Sequence, residues 1–352
     1  MRQVSVNSLK MGDVLGKTIY SSSGRILLGK GVKLTPLYIS KLREMGITIV
    51  YIEDDRFVDV VPEDVIDEEN RREAMAVIEQ ASQSIRVGKS VDDFHLRNVV
   101  SKIVEEILFK KDILVNMMDI RSKDNHIFAH SVNVCVLALV LGKVMLLDKE
   151  KLETLAIGAL LHDIGMIYLP QEILENINSL SEEEEEVMKI HTTLGFEELR
   201  KRKELNLVAA HIAYQHHENI DGSGYPRQLK GDEIHSLAQI VAIADTYDKL
   251  TSDHSGMKRV MPHEACEILM GLVGKQFPKE PVRLFLRNIA AYPTGSTVRL
   301  STGEIGVVVD QNPSIPTRPI VRVFKDMGYG AEQPTEYNMV ENRTIFITEV
   351  LN

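Results

Sequence analysis

The sequence predicts a mainly α-helical fold: a multi-helix core with a small β-rich N-terminal module and a short β-rich C-terminal tail. Three observations carry this. Apolar residues recur at three- and four-residue spacing through the middle of the chain, as in Val100, Ile103, Val104 and Ile107. Short β-branched runs punctuated by Gly, Pro and Asn occupy the two ends. Seven residues able to ligate a metal, His130, His162, Asp163, His191, His216, His217 and Asp245, all fall in segments that read as helix or helix end.

Residues 1–55 form the N-terminal module. Leu15–Tyr20 and Arg25–Leu28 flank a Gly-containing turn and predict a hairpin. Thr35 suits a helix N-cap, Pro36 the first helical position and Gly46 the stop. Ile47–Ile52 then reads as a strand. Residues 56–116 comprise an acidic, aperiodic linker followed by amphipathic helices from about 69. Residues 117–290 hold the ligands, and 291–352 predict a β tail of roughly three to five strands around Thr297–Leu300, Gly306–Val309, Ile320–Phe324 and Thr344–Ile347. The run Glu182–Glu186 follows Ser181 in a capping-box pattern and reads as a solvated helix start.

With 352 residues the chain can bury a sizeable core, and two or three domains are expected. A net charge of −10 argues against duplex nucleic acid as a partner, which would need a basic stripe. The longest apolar run, Val132–Leu147, is interrupted by Asn133 and Lys143 and is too short to cross a bilayer, so it reads as a core helix. Cys135 and Cys266 lie in apolar helical runs, which favours buried thiols over a disulfide. No export signal is legible at the start, and a cytoplasmic location is expected.

Imidazoles and carboxylates without cysteine are ligands for borderline or hard divalent cations. One tetrahedral ion needs four protein groups; seven suit two ions, which points to a two-metal hydrolase. The two oxygens of Asp163 could bridge them. His216 and His217, adjacent on a helix, would point about 100° apart. They would hold one ion each, or lie together at a helix end. Asp245 and Asp248 share one face of an apolar helix; the solvated face is a credible place for Asp248 and less so for Asp245. His211, His235, His254 and His263 fit no ligand pattern.

His130-Ser131, His162-Asp163-Ile-Gly, Pro170, Met188-Lys-Ile-His191 with Gly195, His216-His217-Glu218, Asp221-Gly-Ser-Gly-Tyr-Pro226 and Ala244-Asp245-Thr-Tyr-Asp248-Lys-Leu-Thr-Ser-Asp253 occur in this order. Over roughly residues 117–270 the sequence thereby resembles the HD-GYP branch of the HD-superfamily phosphohydrolases. The resemblance implies an all-helical catalytic core with two or three iron or manganese ions, zinc being the alternative. It also implies hydrolysis of the bacterial messenger cyclic di-GMP to pGpG or GMP through a metal-bridging hydroxide. The seven residues match the family's metal positions, with His162 and Asp163 also catalytic. Asp124 and Asp248 match substrate contacts, and Asp221, Tyr225 and Lys258 are further substrate-binding candidates. The resemblance also implies a diguanylate cyclase or another signalling protein as a partner at the Gly-Tyr-Pro loop, and the helices of 69–116 could form a homodimer. The family usually has Lys where this chain has Met166, and a phosphate-binding Arg-Pro-Tyr-Arg where it has His254-Ser-Gly-Met257-Lys258-Arg259. A third-metal carboxylate would stand at the position of His126, so two metals are expected. These departures set a second reading beside the enzyme: a weak or inactive receptor that binds cyclic di-GMP. A third is an HD hydrolase of another nucleotide.

Overall fold

The computed structural model describes residues 1–21, 26–111, 113–116, 126–176, 179–252, 259–326 and 332–351. Its organising element is a helix with no polar face, α4 (His126–Val144), in which every residue from Val132 to Leu141 is buried. A helix apolar all round must be surrounded. Among the described residues α2 (Glu68–Arg86), α3 (Asp93–Phe109), α5 (Lys149–Leu160), α10 (Ser236–Thr251) and α12 (Lys279–Leu286) pack on it, and α9 (Leu207–Gln215), against α5 and α10, joins the same hydrophobic core. Helices α8 (His191–Leu199), packed on α9, and α11 (Pro262–Gly271), packed on α10, add Leu199, Ala265 and Leu269 to that core, and the remaining helices are α1 (Pro36–Glu44), α6 (Gln171–Glu175) and α7 (Glu182–Lys189). Among the described residues no helix is long and apolar enough to cross a membrane.

Local signals set many of the boundaries. The Thr35 side chain accepts from Tyr38 N, Pro36 opens α1, and Gly46 closes it at φ +72°. Asp148 caps α5 through Lys151 N. Ser181 and Glu184 form the expected reciprocal box on α7, whose residues are all partly or fully exposed.

In the N-terminal module β1 (Arg2–Ser5) pairs antiparallel with β4 (Ile49–Ile52), and β2 (Ile19–Tyr20) with β3 (Ile26–Leu28). The C-terminal tail is one antiparallel sheet in the order β8-β7-β6-β5-β9, built from β5 (Thr297–Leu300), β6 (Ile305–Asp310), β7 (Ile320–Asp326), β8 (Glu332–Asn338) and β9 (Ile347–Val350). Strand β8 is polar and carries Pro334, so its sequence gave no strand signal. Its edge position is where a proline is tolerated. The last strand begins three residues later than the expected Thr344.

The two ends of the chain meet. Gln3 N donates to Gly295 O at 2.7 Å, and the buried Gln3 side chain donates to Tyr51 Oη and accepts from Ser296 Oγ. The acidic segment after β4 is not the fully solvated linker its composition suggests. Phe57 and Val60 are buried against Val307, and Arg322 on β7 makes a two-pronged pair with Asp59, at 2.8 and 2.6 Å. Sequence periodicity missed this because only two apolar residues anchor the segment.

The Arg322 guanidinium holds the Asp59 carboxyl down to about 2. A depressed folded-state value contributes stability above the ordinary carboxylate range and loses it as pH falls toward 2. Asp59 is largely exposed, so the gain is under ~1 kcal/mol. Asp59→Asn is expected to melt slightly below wild type at pH 7, with the gap closing as pH approaches 2. A gap that does not change with pH would remove the ion pair from the account.

Candidate metal centre

The seven ligating residues come from five places and converge on one buried pocket of polar atoms. His130 projects from the second turn of α4, and Asp245 from the middle of α10. His162 and Asp163 follow directly on α5, before a single 3-10 turn (Ile164–Tyr168). His191 opens α8 immediately after Ile190 breaks it from α7. His216 is the C-cap of α9, and His217 follows it. His130, His162, Asp163, His191, His216 and Asp245 are all at most 5% exposed, a setting in which charge is costly unless paired or metal-bound.

They fall into two groups, within each of which the ligand atoms lie at most 4.8 Å apart: Asp163, His191, His216 and His217; and His130, His162 and Asp245. Asp163 faces both. Its Oδ1 lies 3.3 Å from His191 Nε2 and 3.4 Å from His216 Nε2, while its Oδ2 lies 3.2 Å from His162 Nε2. Asp245 Oδ1 lies 2.9 Å from His130 Nε2 and 3.7 Å from His162 Nε2. His216 and His217 share a group because the helix has ended between their side chains. The constraint that would send neighbours apart on a continuous helix does not apply.

The tautomers follow from the partners. His162 Nδ1 lies 2.7 Å from Ala159 O, His191 Nδ1 2.7 Å from Met188 O, and His216 Nδ1 2.9 Å from Ala213 O. A carbonyl only accepts, so each Nδ1 carries the hydrogen, and a neutral ring then directs its Nε2 lone pair inward. Each carbonyl is three residues back, near a helix end where carbonyls lack intrahelical partners. The inward Nε2 atoms of His162, His191, His216 and His217, with Asp163 Oδ1 and Asp245 Oδ1, are buried and make no hydrogen bond. Buried acceptors aimed at a common point fit divalent cations of the borderline or hard class.

Burial pushes His216 down to about 4 and His217 well below the ordinary value, so both rings are neutral ligands at pH 7. Burial would also lower His162, but the Asp163 and Asp245 carboxylates outweigh it and raise the ring to about 10, so its Nε2 holds a proton that a bound cation would replace. Burial opposes ionisation of Asp163 and Asp245 too; the imidazoles around both, and Lys249 beside Asp245, nevertheless hold each well below the carboxylate range.

The substrate candidates are placed differently. Asp248 is not on a solvated face: it is 2% exposed, with Oδ2 2.7 Å from His130 Nδ1 and Oδ1 accepting from Asn133 Nδ2 at 2.7 Å. One oxygen therefore supports His130 while Asn133 holds the other. Asp221 is exposed and accepts from Ser223 N in a local turn, outside either group. Tyr225 stacks on His217, ring centroids 4.7 Å apart, and follows Gly224 in a loop with a cis Tyr225–Pro226 bond. Asp124, Lys258 and His254 lie outside the described residues, as does the side chain of His126. Met166 is buried in the 3-10 turn.

Two residues of the matched motifs, Lys249 and Glu218, to which the sequence assigns no role, act as supports. Lys249, a cation one turn past Asp245, places Nζ 2.7 Å from Asp245 Oδ2 and is one-third exposed. Glu218, buried after the two histidines, accepts from Arg227 N at 2.7 Å and Leu229 N at 2.9 Å, tying the Gly-Tyr-Pro loop to the end of α9. Each is detectable only as a charged residue beside a ligand in an apolar context.

Residues 114–277 match the HD domain family, and residues 297–352 match a KOW domain associated with HD domains. Cyclic di-GMP phosphodiesterase PA4108 of Pseudomonas aeruginosa is 30% identical over 251 residues, covering 71% of this chain and 60% of that protein. Cyclic di-GMP phosphodiesterase PdeB of Borreliella burgdorferi is 27% identical over 230 residues, covering 65% of this chain and 60% of its own. A cyclic di-GMP phosphodiesterase of Thermotoga maritima is 36% identical over 185 residues, covering 52% of this chain and 50% of its own. The chain thus spans about half to three-fifths of the length of these relatives.

Glycine is required where α8 meets the Asp163 turn. A Cβ on Gly165 would sit 2.0 Å from His191 O and 2.6 Å from Gly195 N, whereas one on Gly195 meets nothing closer than 3.4 Å. Gly165→Ala should cost about 1–3 kcal/mol and push His191 off its group. Gly195→Ala should be tolerated. Melting temperature and metal content of the two variants check this; equal behaviour would contradict it.

Proposed function

We propose, from the premise that residues 114–277 belong to the HD domain family, that this chain is a metal-dependent phosphodiesterase hydrolysing cyclic di-GMP to pGpG or GMP. The observation that carries the reading is the buried cage in which one carboxylate, Asp163, turns an oxygen to each of two ligand groups. His191, His216 and His217 with Asp163 Oδ1 would hold one ion, and His130, His162 and Asp245 with Asp163 Oδ2 the other. Iron or manganese bound there would supply Lewis acidity toward a phosphoryl oxygen and a water acidic enough to ionise near neutral pH. The names of the three relatives support the substrate class.

The chain's own residues have separate tasks. His162, His191 and His216 are locked by backbone carbonyls, so the cage is set before substrate arrives. Tyr225, on His217, presents an aromatic surface beside the cage on which a guanine could stack. Lys249 pairs with Asp245 through one of its three N–H groups. Its part-exposed ammonium is a cation for an anionic phosphodiester, in a chain whose buried Met166 provides none. This favours turnover over a receptor that only binds.

Protein purified without oxygen and loaded with iron or manganese is expected to bind about two ions per chain and to convert cyclic di-GMP to a linear product. Tight dinucleotide binding without product under either metal would overturn the enzyme reading. Lys249→Met should lower kcat/KM by roughly tenfold or more, the worth of a charge-assisted hydrogen bond. Metal content measured on the same sample separates lost substrate binding from a displaced Asp245. Unchanged kcat/KM would take Lys249 out of the site.

A further inference from the structure

A chain of buried polar contacts runs from the cage to a helix outside the HD segment. His130 Nε2 lies 2.9 Å from Asp245 Oδ1, within the second ligand group. Behind the ring, His130 Nδ1 lies 2.7 Å from Asp248 Oδ2. Asn133, fully buried one turn along α4, donates from Nδ2 to Asp248 Oδ1 at 2.7 Å and accepts at Oδ1 from Arg71 Nη1 at 2.6 Å. Arg71 is half-buried on α2, which precedes the matched residues 114–277 and packs against α4.

The direction of every bond in this chain is fixed by its ends. Arginine has donors only, so the Asn133 amide must turn its oxygen to Arg71 and its NH2 to Asp248. An ionised carboxylate has acceptors only, so Asp248 takes that hydrogen and the one on His130 Nδ1. In the neutral, metal-ligating ring this fixes the tautomer whose Nε2 lone pair faces the cage. The other three buried histidines with assigned partners rest on carbonyls at the end of the preceding helix, three residues back. His130, inside the first half of a long helix, has no such free carbonyl at hand, and its orientation is delegated to side chains of three helices.

We propose that Arg71 is a positioning residue of the metal centre, acting through Asn133 and Asp248 on His130, so that α2 outside the HD segment is part of the site. The proposal rests on the metal-cage reading above. It makes an asymmetric prediction, because Arg71 supports His130 and not the group of Asp163, His191, His216 and His217. The group of Asp163, His191, His216 and His217 serves as an internal control.

The test is a stepwise manganese titration of the full chain against a competing chelator, with bound ion followed by its spin-resonance signal, for wild type, Arg71→Met and Arg71→Lys. Outer partners of a metal-ligating histidine typically alter affinity by about 10–100-fold. Arg71→Met, one step further out, is expected to weaken one ion by roughly tenfold and leave the other at its wild-type affinity. Arg71→Lys, which keeps a donor-only cation, should recover part of the loss. Two wild-type affinities in Arg71→Met overturn the proposal. So does equal weakening of both ions, or a loss that lysine does not relieve and that tracks a lower melting temperature of the metal-free variant. If wild type itself takes up no metal, the metal-cage reading fails first; if wild type binds two ions and Arg71→Met matches it, this inference alone fails.

Discussion

The structure depends on keeping Asp163 ionised in the interior. A carboxylate at 3% exposure is tolerated only if its surroundings supply opposite charge or donors. His162 supplies it at Oδ2, Lys249 does so for the second carboxylate, Asp245 of α10, and at Oδ1 the inward Nε2 atoms of His191 and His216 are themselves acceptors, so a divalent cation among them would supply it. The five chain segments therefore cannot pack independently of the site. Where α8 lies is set by His191 reaching Asp163, and the Gly165–His191 approach is close enough that no side chain fits between them. The site is part of the core rather than a decoration on it.

Helix ends are the device that makes this possible. A mid-helix histidine has its local carbonyls already bonded, whereas one just past a helix end finds a free carbonyl three residues back. His162, His191 and His216 each use that arrangement. The same logic separates His216 and His217 from the geometry of a continuous helix, letting two adjacent rings join one group. Glu218 then ties the following loop to the end of α9, and Tyr225 is delivered onto His217.

What was legible in the sequence was what local chemistry decides. The helical class, the caps at Thr35 and Ser181, the core character of the Val132–Leu141 stretch and the candidate ligands all announce themselves within a few residues. Pairings across the chain did not. Strand β8 is polar because it lies at an edge, and the segment around Phe57 looked solvated because its anchors, Val307 and Arg322, are some 250 residues away. Asp248 was misjudged for a related reason. The i, i+3 spacing from Asp245 gave its face correctly, but only the packing of α4 on α10 shows that this face is interior and that His130 and Asn133 occupy both of its oxygens.

That placement changes how departures from a motif should be weighed. Met166 looked like a missing cation when positions were compared one by one. In the fold its side chain is buried within the 3-10 turn, while Lys249, one helical turn beyond Asp245, brings an ammonium to that carboxylate. A site that must balance buried carboxylates constrains the total charge around them more tightly than the position of any one cation. Lys249 stands inside the matched Asp245–Asp253 motif, but only the packed structure shows its ammonium on the Asp245 carboxylate.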